Sequence, residues 1–274
     1  MKILCPVDFS KAANNAMEYA AKFARATNSE VQLVHVSLAP NIGELILSAF
    51  DDKDSFQKAF ERLERYCDEV ENTFKISCSA VIQNEDLSLE TDLANYADSN
   101  NFDLVIMGTN SAEYANQLYF GTHTYNLIRR SSTPVLIVPE ESEFIPLRHA
   151  VFATDFKNFR EASIDKMLDL IAPFEPGLDI LNVGESLQNP ESVAEYEAIQ
   201  TLVNNKWRIG DMSFHSVVSG SAAEGIDQYM RKRDRDLLVL TTKKYSLIER
   251  LFRESVTKKL SFLADYPILV LTEV

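Results

Sequence analysis

The feature that most constrains this chain is that it says the same thing twice. The segment KILCPVDFSKAANNAMEYAAKFA, from residue 2, has a counterpart in HAVFATDFKNFREASIDKMLDLIA, from residue 149. Asp8-Phe9 falls on Asp155-Phe156 at an offset of 147, and the same offset lays VQLVHV (31–36) on LDILNV (178–183). Later, DLVIMGT (103–109) meets DLLVLTT (236–242) at an offset of 133, which also places Pro134 on Pro267. The second copy has therefore lost 147 − 133 = 14 residues between its second strand and its DLL strand. Internal repetition of this length reads as two copies of one domain, 1–142 and 147–274, joined by the acidic, proline-containing stretch EESEFIPLR.

Within the first copy, short apolar runs alternate with helical periods. Strands are expected at 2–7, 31–36, 76–82, 103–107 and 134–138, and helices at 10–26, 53–73, 88–100 and 122–131. Ser10 is placed to cap the first helix, where Ala13, Ala16, Met17, Ala20 and Phe23 fall at helical spacing. Strict β–α alternation implies parallel sheets with helices on both faces. The runs at 104–107 and 135–138 lack polar alternation, as strands covered on both sides do. The expected fold is α/β: two tandem, doubly wound, parallel five-stranded sheets of Rossmann-like type. The last strand of each copy stands at a sheet edge, where unpaired backbone groups invite pairing. The copies are therefore expected to join through 134–138 and 268–271 as an intramolecular pseudo-dimer.

Charge narrows the function. A formal net charge of −14 supplies no basic surface for nucleic acid or an anionic membrane. No apolar run approaches the roughly 18 residues of a spanning helix, and the first ten residues turn polar too early for a signal peptide. Three cysteines, Cys5, Cys67 and Cys78, show no CxxC spacing and fit a reducing, cytoplasmic location, where they read as buried or incidental. The four histidines have no metal-ligand spacing. The segment ERLERYCDEVEN reads as an exposed amphipathic helix face, not a partner code.

Ligands of open α/β sheets sit beyond the carboxyl ends of the strands. Asp8, Val36 and Gly108 stand at such ends, with Gly108 read as permitting a close backbone approach to a ligand. Gly121-Thr122 opens the next helix, whose free N–H groups and dipole favour an anion. Asp8 has a plainer role open to it as well, capping the following helix or bonding its own loop. His123, beside the expected phosphates, reads as a solvent-facing first-turn residue. No GxxxxGK[ST] motif occurs.

At these residues the chain resembles the universal stress protein family in a tandem form. The resemblance rests on ILCPVDFS, on LVHV after the first helix, and on the spaced glycines leading to TPVLIVP. Nucleotide-binding members carry Gly-x2-Gly-x9-Gly-Ser/Thr after the fourth strand. Here the positions are Gly108, Ser111, Gly121 and Thr122. The resemblance implies that Asp8 and the Val36 backbone meet an adenosine while those four residues wrap ribose and phosphates. Pro6, Val7, Met107 and His123 complete the candidate set. The implied ligand is ATP or AMP, with or without magnesium, at most one per chain.

Two departures bear on that implication. Ser111 either bonds a phosphate or crowds it, and Glu113 repels one. In the second copy the four positions read Thr241, Lys244, Glu254 and Ser255, with a carboxylate where phosphate would lie. Three function classes follow: a module regulated by an adenine nucleotide, a scaffold acting through its surfaces alone, and an enzyme. The last lacks a paired base and nucleophile and an acidic cluster for a metal, so no catalysis is expected. A further homodimer and an unidentified protein partner stay open.

Overall fold

The computed structural model describes residues 1–38, 52–85, 89–109, 122–154, 159–184, 190–207, 211–233, 235–242 and 266–272. In the first copy the elements are β1 (Lys2–Pro6), α1 (Lys11–Thr27), β2 (Glu30–Leu38), α2 (Asp52–Phe74) and β3 (Cys78–Glu85). α3 (Leu89–Ser99), β4 (Leu104–Thr109), α4 (Thr122–Arg130) and β5 (Val135–Pro139) follow. The second copy runs β6 (His149–Thr154), α5 (Glu161–Ile171), β7 (Gly177–Gly184), α6 (Pro190–Lys206), β8 (Met212–Val218), α7 (Ala222–Arg233), β9 (Leu237–Thr242) and β10 (Ile268–Thr272).

Among the described residues, ten strands form one sheet in the order β3-β2-β1-β4-β5-β10-β9-β6-β7-β8. Each half is a five-stranded parallel sheet, and the halves meet where β5 and β10 pair antiparallel, Leu136 opposite Leu269. The edge strands of the two expected sheets thus satisfy each other's backbone groups. The strands bury both faces. Ile3, Cys5 and Val7 point into the layer holding α1 and α2, while Leu4 points into the layer holding α3 and α4. Each layer continues without a break into the second copy.

Local chemistry explains the element ends. Ser10 is extended, and its hydroxyl accepts from the Ala13 N–H at 3.2 Å, the cap expected from sequence. The chain leaves α1 through Asn28 in the left-handed region, and Lys75 and Asn101 do the same after α2 and α3. A matched pair of carboxylates fastens the strand starts. Asp103 accepts from the Lys2 N–H at 2.7 Å, and Asp236 accepts from the His149 N–H at 2.9 Å. Both residues obey the repeat offsets, 2 + 147 = 149 and 103 + 133 = 236.

Asp98, in α3, fixes the turn leading into the junction strand. Its carboxylate accepts from the Ser132 and Thr133 N–H groups at 3.0 Å and from the Thr133 hydroxyl at 2.8 Å. The Ser132 carbonyl in turn accepts from Lys166 Nζ at 3.0 Å and from the Thr272 hydroxyl, so the turn ties the two copies together. Partial burial pushes the Asp98 carboxyl up, but the donors of Ser132 and Thr133 outweigh it and hold the group below the usual carboxylate range. The folded group is then more acidic than the unfolded one. Its contribution is complete above the unfolded value of about 4 and is lost as pH falls through the folded value. The urea midpoint of the wild type should therefore exceed that of Asp98→Asn near neutrality, and the gap should close on acidification. A gap independent of pH would remove Asp98 from this role.

Candidate functional site

Strand order reverses between β1 and β4, which lie side by side while their successors run outward in opposite directions. This is the switch point where a doubly wound sheet opens a crevice. Asp8 leaves β1 there, Gly108 and Thr109 end β4, and helices α1 and α4 both begin at the same side. The helix expected at 122 does open at Thr122. Ser111 and Gly121 lie outside the described residues, as do the side chains of Thr122 and His123.

The described members divide by role. Val7 is buried; its N–H donates to the Val34 carbonyl at 2.8 Å, and its carbonyl accepts from His35 Nδ1 at 2.7 Å. Pro6 lies opposite Val34 at the end of β1. Asp8 is exposed, and one carboxylate oxygen accepts from the Ser10 N–H at 2.9 Å. The plainer role considered for Asp8, bonding its own loop before the helix, is thus present. Val36 does not end its strand, because β2 continues to Leu38; it is half-buried against the α3–α4 layer. Met107 is buried in that same layer.

Gly108 packs against the start of α1. A Cβ at this position would sit 2.3 Å from the Ala12 carbonyl oxygen and 3.0 Å from the Ala13 nitrogen. The close approach that this glycine permits is therefore that of α1's first turn onto β4, not of a ligand alone. No glycine among the described residues has a positive φ, so clearance rather than conformational freedom is what the site requires. The second copy has Thr241 here, and its helix α5 starts at Glu161, three residues beyond the 11 + 147 = 158 that α1 would predict.

Sequence reasoning missed a cluster beside Asp8. Phe9 adopts φ 64°, a left-handed conformation disfavoured for a bulky residue. Its ring packs on His35 at 4.9 Å and edge-on to Tyr66 at 6.0 Å, with the Arg62 guanidinium 4.3 Å above it. Arg62 also donates to the Tyr66 hydroxyl at 3.2 Å. These contacts hold the strained turn, and they bring a cation to the strand ends. The helix carrying Arg62 is amphipathic, as its sequence predicts: Leu63, Cys67 and Val70 are buried while Arg62 itself is exposed. Arg62 and Tyr66 are one helical turn apart, a spacing shared by countless exposed helices, so the pattern carried no distinguishing signal.

With this geometry in place, comparison with known proteins decides the family. The profile of the Universal stress protein family matches residues 1–139 and again 146–272. The chain belongs to the universal stress protein family. A universal stress protein of Methanocaldococcus jannaschii is 25% identical over 159 residues, 52% of this chain and 96% of the relative. One from Synechocystis is 26% identical over 174 residues, 61% of this chain and 57% of its own length. The crystal structure of a universal stress protein from Archaeoglobus fulgidus matches with a TM-score of 0.77 at 16% identity, covering 99% of this chain and 98% of that one. At that identity the likeness speaks for the fold, a tandem universal stress protein architecture. Among the described residues, no helix of this universal stress protein is long and apolar enough to cross a membrane.

Proposed function

We propose that this universal stress protein binds one adenine nucleotide, ATP or AMP, at the first copy's switch point, as a regulatory ligand rather than a substrate. The observation that carries the reading is the convergence of Asp8, the end of β4 and the start of α4 on one side of the β1–β4 pair. Phosphate at the start of α4 gains about 1–2 kcal/mol from free N–H donors and the helix dipole at a favourable site. Asp8 is exposed there, with a second carboxylate oxygen to offer a ribose. Glu254 puts a like charge at the corresponding position of the second copy, so that copy takes no nucleotide.

A second reading has an observation of its own. Gly108 is accounted for by α1 and Asp8 by Ser10, so neither needs a ligand to explain it. On that reading the protein is a ligand-free scaffold in both halves. Calorimetric titration separates the two. One site per chain is expected, abolished by Gly121→Glu and not doubled by Glu254→Ala. Two equivalent sites, or binding that survives Gly121→Glu, would overturn the assignment. No heat at millimolar ATP or AMP would establish the scaffold.

A further inference from the structure

The three cysteines that are dispersed in sequence converge on one layer of the fold. Leu63, Cys67 and Val70 form the buried stripe of α2, and Cys78 and Ala80 are the β3 residues packed against the same cluster. The helix stripe and the strand pleat together place Cys78 Sγ 2.9 Å from Cys67 Sγ. Cys5 of β1 belongs to the same cluster but is fully buried. No group of three or more His, Cys, Asp or Glu among the described residues is arranged to hold a metal.

We propose that Cys67 and Cys78 form a reversible dithiol–disulfide pair, oxidised by hydroperoxides, that staples α2 to the edge strand β3. Closing from 2.9 Å to the about 2.05 Å of a disulfide asks for under about an ångström of movement. Cys78 is half-buried, whereas Cys67 is 6% exposed, so oxidant meets Cys78 first. The Cys78 thiolate attacks one peroxide oxygen; the O–O bond breaks, water or an alcohol leaves, and Cys78 becomes a sulfenic acid. The Cys67 sulfur then attacks the Cys78 sulfur. The S–O bond breaks, the departing hydroxide takes the thiol proton as water, and the S–S bond forms. Two thiols and one hydroperoxide thus give one disulfide, one water or alcohol, and one further water.

The hydrogen bond to Cys67 and burial push the Cys78 thiol up. Little thiolate exists at neutral pH, so oxidation is slow. The same basicity makes the Cys78 sulfur a poor leaving group, which slows reduction of the disulfide once made.

The test exposes the native full-length chain to hydrogen peroxide for hours, then alkylates it in denaturant and maps the thiols by mass spectrometry. One alkylatable cysteine per chain, Cys5, is expected, with a peptide cross-link between residues 67 and 78 that dithiothreitol reverses. The oxidised protein should also melt at a higher temperature than the reduced one, a difference absent in Cys67→Ala/Cys78→Ala. Three thiols surviving a dose that oxidises the urea-unfolded chain would overturn the proposal. A bridge to Cys5, a bridge between chains, or sulfinic acid on Cys78 without a cross-link would do the same.

Discussion

Gly108→Ala should destabilise the folded chain by about 3 kcal/mol, the upper end of what overpacking a well-packed interior costs. The methyl would lie 2.3 Å from the Ala12 carbonyl oxygen and 2.5 Å from its carbon. Both belong to backbone, which cannot rotate aside as a side-chain tip can. Relief requires the first turn of α1 to lift from β4, and that turn begins with the capped residues after Ser10. Gly225→Ala is the informative comparison. Its methyl would also be crowded, at 2.4 Å, but by the Val183 Cγ1 atom of a side chain. Gly220→Ala, with nothing within 4 Å, should change stability by no more than about 0.5 kcal/mol. Urea denaturation without nucleotide measures all three. If Gly108→Ala proves as stable as the wild type and only ligand binding suffers, the glycine serves the ligand and the packing account fails.

An effect of comparable size is expected in the second copy. Asp179, 5% exposed on β7, accepts from Ser213 at 2.6 Å and Tyr229 at 2.8 Å, and pairs with Arg235 at 2.7 Å. Arg235 Nε is buried with no partner, so the guanidinium depends on this carboxylate for its compensation. Asp179→Ala leaves a nearly buried cation uncompensated and should cost about 3–5 kcal/mol. Asp179→Ala combined with Arg235→Met removes the stranded charge and should recover much of that loss, a non-additivity that a double-mutant cycle reads directly. Additive effects would show that the two groups do not sense each other. The first copy performs the same task without charge. Gln32, at 179 − 147, bonds Ser79 at 3.0 Å and receives the Tyr96 hydroxyl at 2.6 Å, Tyr96 being 229 − 133.

What the sequence disclosed was whatever repeats along the chain. Periodicity located the helices and strands, the two offsets revealed the duplication, and Ser10 announced its helix because capping is decided within four residues. The pairing of β5 with β10 followed from their place at the edge of each half. Contacts between layers were not legible. Arg62 reaches Phe9, and Cys67 reaches Cys78, only because a particular helix face lies over a particular strand. No local period encodes that. Gly108 shows the difficulty most clearly. A glycine at a strand end satisfies equally the demand of an approaching ligand and that of an approaching helix, and the residues that distinguish them, Ala12 and Ala13, are almost a hundred positions away.

The antiparallel seam between β5 and β10 has one more consequence. In a symmetric homodimer every substitution is present on both sides of the axis, so a change that suits one subunit is imposed on the other. Here the two sides are encoded separately. The seam also closes within one molecule, so it forms at an effective concentration set by the tether and does not come apart on dilution. One half is thereby free to replace Gln32 by Asp179, or Gly121 by Glu254, while the other stays as it was. Covalent union lets a pair of equals diverge residue by residue.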